Sequence, residues 1–156
     1  MNKNMVLISV ACIFKNSRGK QFWLVAKPKE DADWELPRVA VRKAESSARA
    51  SIRMAGEQLG VTAKVLEEAG RAGGAALVNN KTVPQRHLYY LLIHEGESGE
   101  PLMFNKIAWL EYAKAVRKLT QKRDRQMLKA AREELKVWTR VKKPAIDEKE
   151  RKASGK

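Results

Sequence analysis

The stretch Val39–Val61, VAVRKAESSARASIRMAGEQLGV, decides the fold, because a helix with a clear start and stop can be read inside it. Ser46 or Ser47 supplies a hydroxyl of the kind that caps a helix N-terminus. Ala48, Ile52, Ala55 and Leu59 then follow at helical spacing and place one apolar stripe on one face. Gly60 is a good stop, since glycine accepts the left-handed backbone that ends a helix. The pattern predicts a helix over about 46–59.

Upstream, Val6–Phe14 (VLISVACIF) and Gln21–Ala26 (QFWLVA) flank the polar, turn-forming KNSRGK, which reads as a β-hairpin. Lys27–Asp33 is a charged loop leading to Trp34–Pro37 (WELP), where Pro37 is expected to interrupt further pairing. Downstream, Val61–Leu66 alternates like a strand, Gly70–Ala76 reads as a loop or bulged strand, and His87–Ile93 is a strong strand candidate. Gly96–Gly99 marks a turn, and Asn105–Trp109 is a short extended piece. A helical segment over about 111–138 follows, with Met127, Ala131, Leu135 and Trp138 on one seam and a break expected at Thr120–Lys122. The reading is one domain over 1–139 and a disordered basic tail over 140–156.

Among 156 residues, 32 are Lys or Arg and 18 are Asp or Glu, a formal net charge of +14. The excess is uneven. Residues 1–105 hold 15 basic and 11 acidic side chains, whereas 106–156 hold 17 basic and 7 acidic. Such a block suits phosphate-bearing partners, because neutralising phosphates releases their condensed counterions. A solubilising, solvated helix face is the plainer alternative. No apolar run approaches the roughly 20 residues of a membrane span, so no membrane partner is expected. The N-terminus lacks a secretory cleavage pattern, and Cys12 is the one cysteine, which excludes an internal disulfide. A reducing intracellular compartment is therefore expected, the cytoplasm first and an organellar matrix second.

The order strand, strand, WELP loop, helix, Gly60-Val61, strands and final helix resembles the Nudix hydrolase family. Trp34-Glu35-Leu36-Pro37 is similar to its W-x-L-P entry, Glu45-Ser46 to its G-E-S step, and Arg53–Val61 (RMAGEQLGV) to R-E-U-x-E-E-x-G-U. Val39 stands at the first glycine of the signature and Glu45 at its first glutamate. The resemblance implies an α+β fold, an α/β/α sandwich around a mixed β-sheet, and a pyrophosphohydrolase that uses Mg²⁺ held by helix carboxylates. Those three carboxylate positions are occupied here by Met54, Glu57 and Gln58. Only Glu57 remains an acid, and a thioether is a poor ligand for a hard cation. The preceding loop carries Arg38, Arg42 and Lys43 where the family uses glycines, so it is cationic and can attract phosphate without a metal.

These residues give two expectations. In the first, the hydrolase centre is weak or lost, and the chain binds nucleotide phosphates, RNA or a ribonucleoprotein such as a ribosome. Arg38, Arg42, Lys43, Lys118, Lys122, Arg123 and Arg125 are then the phosphate contacts, and no cofactor is needed. In the second, the chain is an Mg²⁺-dependent hydrolase of a nucleoside diphosphate linked to another moiety, with Glu57 as metal ligand and Arg53 beside it. A replacement ligand would then come from Glu67, Glu68, Glu95 or Glu97. The remaining candidates have plainer readings. Arg53 and Glu57, four apart, form an intrahelical pair, and Glu45 favours a helix N-terminus. His87 and His94 are structural and Cys12 is a buried hydrophobe. Trp34, Tyr89, Tyr90 and Trp109 either stack on bases or, more often in small β-rich folds, close the core.

Overall fold

A computed structural model describes residues 5–100 and 106–142. The hydrophobic run predicted as the first strand is β1 (Val6–Ser17), and β2 (Lys20–Lys27) returns beside it. Arg18 and Gly19 both take positive φ, 52° and 77°, which gives the tight turn the twist that hairpins favour. β1 is buried on both faces. Val10, Cys12 and Phe14 enter one core cluster, while Ala11 and Ile13 enter the other. A continuous rather than alternating apolar run is the sequence mark of such a central strand.

The remaining strands are β3 (Arg38–Ala40), β4 (Val61–Val78), β5 (Lys81–Glu97) and β6 (Lys106–Glu111). The sheet runs β4-β5-β1-β2-β6, with β3 paired to β1 off this path. β1 and β5 are parallel, from Val6 opposite Gln85 to Phe14 opposite Ile93, and the other pairs are antiparallel. Helix α1 (Ser47–Met54) packs on one side, and α2 (Tyr112–Lys118) with α3 (Lys122–Val137) on the other. The result is the expected α/β/α sandwich with a mixed sheet.

Several expectations change in detail. Pro37 does not end pairing: Glu35 bridges Ala26 before it, Arg38–Ala40 pair with β1 after it, and its own carbonyl accepts from the Ala11 N–H at 2.9 Å. Proline lacks a donor, yet its carbonyl still accepts, so a sheet edge tolerates it. Gly70–Ala76 lies inside β4, whose irregularities fall at Thr62/Ala63, Val65/Glu67 and Glu68/Gly70. The buried face of α1 is Ala50, Ser51 and Met54, continued by Ala55 and Leu59, while Ile52 is exposed. Small alanines leave the phase of a short helix undetermined, and bulky Met54 sets it.

The long C-terminal segment breaks between Leu119 and Gln121, as its apolar phase indicates. A π-helical turn, Trp138–Lys142, carries the helix past residue 139; the rest of the expected disordered tail lies outside the described residues. The seam of α3 is Asp124, Leu128, Ala131 and Leu135, with Met127 packed beside it. A carboxylate thus occupies a core position.

Asp124 is fully buried and has three partners from three elements. Its Oδ2 accepts from the Leu36 N–H at 3.2 Å and from Arg38 Nη2 at 2.5 Å, and its Oδ1 accepts from the Tyr89 hydroxyl at 3.1 Å. α3 is thereby tied to the WELP loop, to β3 and to β5. Removing one partner of a buried pair leaves the other charge uncompensated. Asp124→Ala is therefore expected to lose about 3–5 kcal/mol in urea unfolding, and Arg38→Met at least as much, because it leaves the carboxylate in the core with only the Leu36 and Tyr89 donors, whereas Arg38 without Asp124 keeps Glu35.

Candidate functional site

The segment joining β3 to α1 is built on one guanidinium. Arg53 donates from Nε to Glu45 Oε2 at 2.8 Å and from Nη2 to Glu45 Oε1 at 3.0 Å, a forked pair, and Nη2 also reaches the Ala40 carbonyl at 3.1 Å. Glu45 Oε1 accepts the Arg42 N–H at 3.0 Å as well. Glu45 is accordingly the main partner of Arg53, and the intrahelical Arg53–Glu57 pair read from the sequence is present beside it as a longer contact. Glu57 Oε2 lies 3.8 Å from both Arg53 Nη1 and Arg42 Nη2 and is largely exposed. The fork match of guanidinium and carboxylate, half shielded from water, outweighs a solvated i,i+4 contact.

The ends of this segment are equally defined. Ser46 caps α1 by accepting the Arg49 N–H, and the helix widens into a π-helical segment over Ala55–Leu59. Gly60 follows at φ 72°, and a Cβ there would stand 2.2 Å from the Gly99 carbonyl oxygen. Its carbonyl accepts from the Ser98 and Gly99 N–H groups, so Gly60 both ends the helix and seats the next loop. Val39 stands in extended β3, and the strained position is instead Ala44, at φ 65°.

The signature-helix residues do not converge. Met54 is fully buried among Ala11, Ile13, Leu24 and Leu92, Glu57 faces solvent, and Gln58 is half-buried. Glu67 pairs with Lys142, Glu68 with Arg71 and Glu97 with His94, while Glu95 is exposed. Among the described residues, no group of three or more His, Cys, Asp or Glu side chains is placed to hold a metal ion.

The expected phosphate contacts separate into groups. Arg42 and Lys43 are exposed on the loop before α1. Lys118 lies 5.1 Å over the Trp34 ring, Lys122 is exposed at the start of α3, and Arg125 donates to the Leu119 and Thr120 carbonyls, closing the α2–α3 joint. Arg38 and Arg123 come together in the walls of a cleft of about 420 Å³, with Glu35, Gln85, His87 and Gln121. Its lining includes Val39 and Ala40, and the Ala40 carbonyl is also a partner of Arg53.

Inside that cleft wall, Arg123 donates to the Gly73 carbonyl at 3.0 Å and lies 3.5 Å from His87 Nε2. Gly74 allows this approach, since a Cβ would stand 3.1 Å from Arg123 Nη1 and 3.2 Å from His87 Cε1. Arginine carries only donors, so the facing Nε2 accepts and the imidazole proton sits on Nδ1. His87 Nδ1 and Arg123 Nε are then two buried donors with no protein partner. Burial, with Arg123 and Arg38 nearby, lowers His87 to about 4, so the ring is neutral near pH 7. Glu35 is raised by burial, partly offset by Arg38. Tyr89 is pushed up to about 12 by burial and by Asp124, and Cys12 is raised by burial. Of the aromatic candidates, Tyr89 is fully buried in the core; Tyr90 shares a hydrogen bond with the Ser47 hydroxyl, and Trp109 packs between Lys15 and His94.

A NUDIX-domain family model matches residues 5–131. The chain belongs to the Nudix family. Solved Nudix structures agree with the fold: a C. elegans Ap4A hydrolase binary complex is 17% identical, with TM-score 0.69, covering 85% of this chain and 98% of its own. The Nudix domain of Shewanella oneidensis NrtR complexed with ADP ribose is 16% identical, with TM-score 0.69, covering 86% and 90%. The E. coli ORF135 protein is 21% identical, with TM-score 0.60, covering 93% and 99%. No curated protein matches in sequence. Asp124 escaped the sequence reading of this Nudix chain; its signal was a lone acid on the apolar seam of a basic helix.

Two measurements probe this geometry. Ala44→Gly removes a left-handed alanine and is expected to raise unfolding stability by about 1 kcal/mol, read by urea titration. Arg53 holds the Glu45 carboxyl at about 2, below its ordinary 4.5. Stability from this pair is present above pH 4.5 and lost as pH falls toward 2, so the melting difference between wild type and Glu45→Gln should be constant above about pH 5 and shrink below it.

Proposed function

We propose that this Nudix-family chain binds a nucleoside phosphate in the Arg38–His87–Arg123 cleft and is weak or inactive as a hydrolase. The observation that carries the reading is a cleft of about 420 Å³, large enough for a nucleotide, whose lining joins Arg123 and Arg38 to His87, Gln85 and Gln121. Arg123 supplies the positive charge of this wall, since Arg38 is already paired with Asp124 and Glu35.

The divalent cation that Nudix chemistry implies does not fit these residues. Met54 offers a thioether sealed in an apolar cluster, Gln58 is neutral, and Glu57 is already flanked by Arg42 and Arg53. Two cations beside a single carboxylate oppose a third, and Mg²⁺ favours hard oxygen ligands. No catalytic step is therefore assigned to a metal. The competing reading, a Glu57-dependent hydrolase, draws on the retained Arg53 and Gly60, which keep the helix seated as an active family member would need.

Titration calorimetry with ADP-ribose and a dinucleoside tetraphosphate, in EDTA and in Mg²⁺, separates the two. Binding of similar strength in both buffers without product is expected, and Arg123→Gln should weaken it about tenfold, the loss of one charge-assisted hydrogen bond. Product formation that needs Mg²⁺ and disappears in Glu57→Gln would instead establish the hydrolase.

A further inference from the structure

The cleft uses the N-terminal end of α3, and a second concavity lies at the other end. A groove of about 560 Å³ is lined by Gln21, Arg132, Leu135, Lys136, Thr139 and Arg140. Arg132, Lys136 and Arg140 recur every four residues, so they run along one side of the helix with a rise of about 6 Å per step. Their restraints differ: Arg132 lies 4.2 Å over the Tyr112 ring, Lys136 is 3.5 Å from exposed Glu133, and Arg140 has no partner among the described residues. From Tyr112 to Lys142 there are 11 basic and 3 acidic side chains, and one of the acids, Asp124, is buried. The solvent-facing field there is strongly positive.

Cations that converge on one point suit a single phosphate, whereas cations in a row suit a chain of them. We propose that this groove binds the phosphodiester backbone of a single-stranded nucleic acid, at a site sharing no residue with the nucleotide cleft. Gln21 and Thr139 add neutral hydrogen-bonding groups to the row. One face of Tyr112 is covered by Arg132, so contact runs through the backbone rather than through base stacking. Binding is accordingly tolerant of base sequence and steep in salt.

Fluorescence anisotropy with a labelled oligouridylate and the matching oligothymidylate, across roughly 50–200 mM salt, tests it. The logarithm of affinity should fall linearly with that of salt. R132Q/K136Q/R140Q, its fold checked by circular dichroism, should lose at least about tenfold in affinity and flatten the slope by about 2, some 0.7 for each lost contact. K29Q/K64Q/K81Q removes equal charge from exposed positions elsewhere and should stay within about threefold of wild type. Equal RNA and DNA binding supports a pure backbone site, and preference for RNA supports one that also reads the 2′-hydroxyl. Equal losses in the two triple variants would overturn the groove in favour of diffuse charge, and so would wild-type binding by the groove variant or no binding by wild type. ADP-ribose titration of the groove variant should be unchanged, which separates failure here from failure of the cleft.

Discussion

The carboxylate of Asp124 is the constraint on which the rest of this molecule depends. Charge is rarely placed in a core, because desolvation is repaid only when every lone pair finds a partner. Here the partners come from the WELP loop, from β3 and from β5, so one buried group sets how α3 lies on the sheet. The same contact fixes the guanidinium of Arg38 at the cleft wall and brings Arg123, the preceding residue, against His87. A stabilising interaction and the shape of the candidate ligand site are thus one arrangement.

On the other side of the sheet, Arg53 and Glu45 play the corresponding part. Their forked pair closes the loop that leads into α1, and Gly60 closes the far end of the helix against Gly99. These braces hold the Nudix frame around the signature helix, whose side chains point to different surroundings. Met54 turns its position into core, and Glu57 is drawn toward two arginines. The proposed function joins this frame to the cleft on the other side of the sheet.

Much of the frame was legible in the sequence because its signals are local. Ser46, Gly60, the VLISVACIF run and the phase break after Leu119 each act through neighbouring backbone, and each led to the element observed. The buried face of α1 was misread, since alanines weight every stripe alike. The cleft was legible only in part. Arg38 and Arg123 stood out as cations, but their meeting place depends on Asp124, Gly74 and His87, which lie far apart in the chain and converge only through the sheet. Long-range pairing of this kind leaves no periodic mark. The net charge of +14 likewise resolves into separate roles: Arg38 and Arg53 in buried or half-buried braces, Arg123 in the cleft, and a row along the end of α3.

Central to the proposed function is that the signature helix, with Met54 buried and Gln58 neutral, does not hold a divalent cation. Titrating Mn²⁺ into the isotopically labelled protein and following paramagnetic broadening of the backbone amides from Arg53 to Gly60 tests it most directly. The account predicts no saturable broadening at Glu57 and Gln58 below millimolar Mn²⁺, with or without ADP-ribose present. Saturable broadening centred on those two residues at micromolar Mn²⁺ would contradict it.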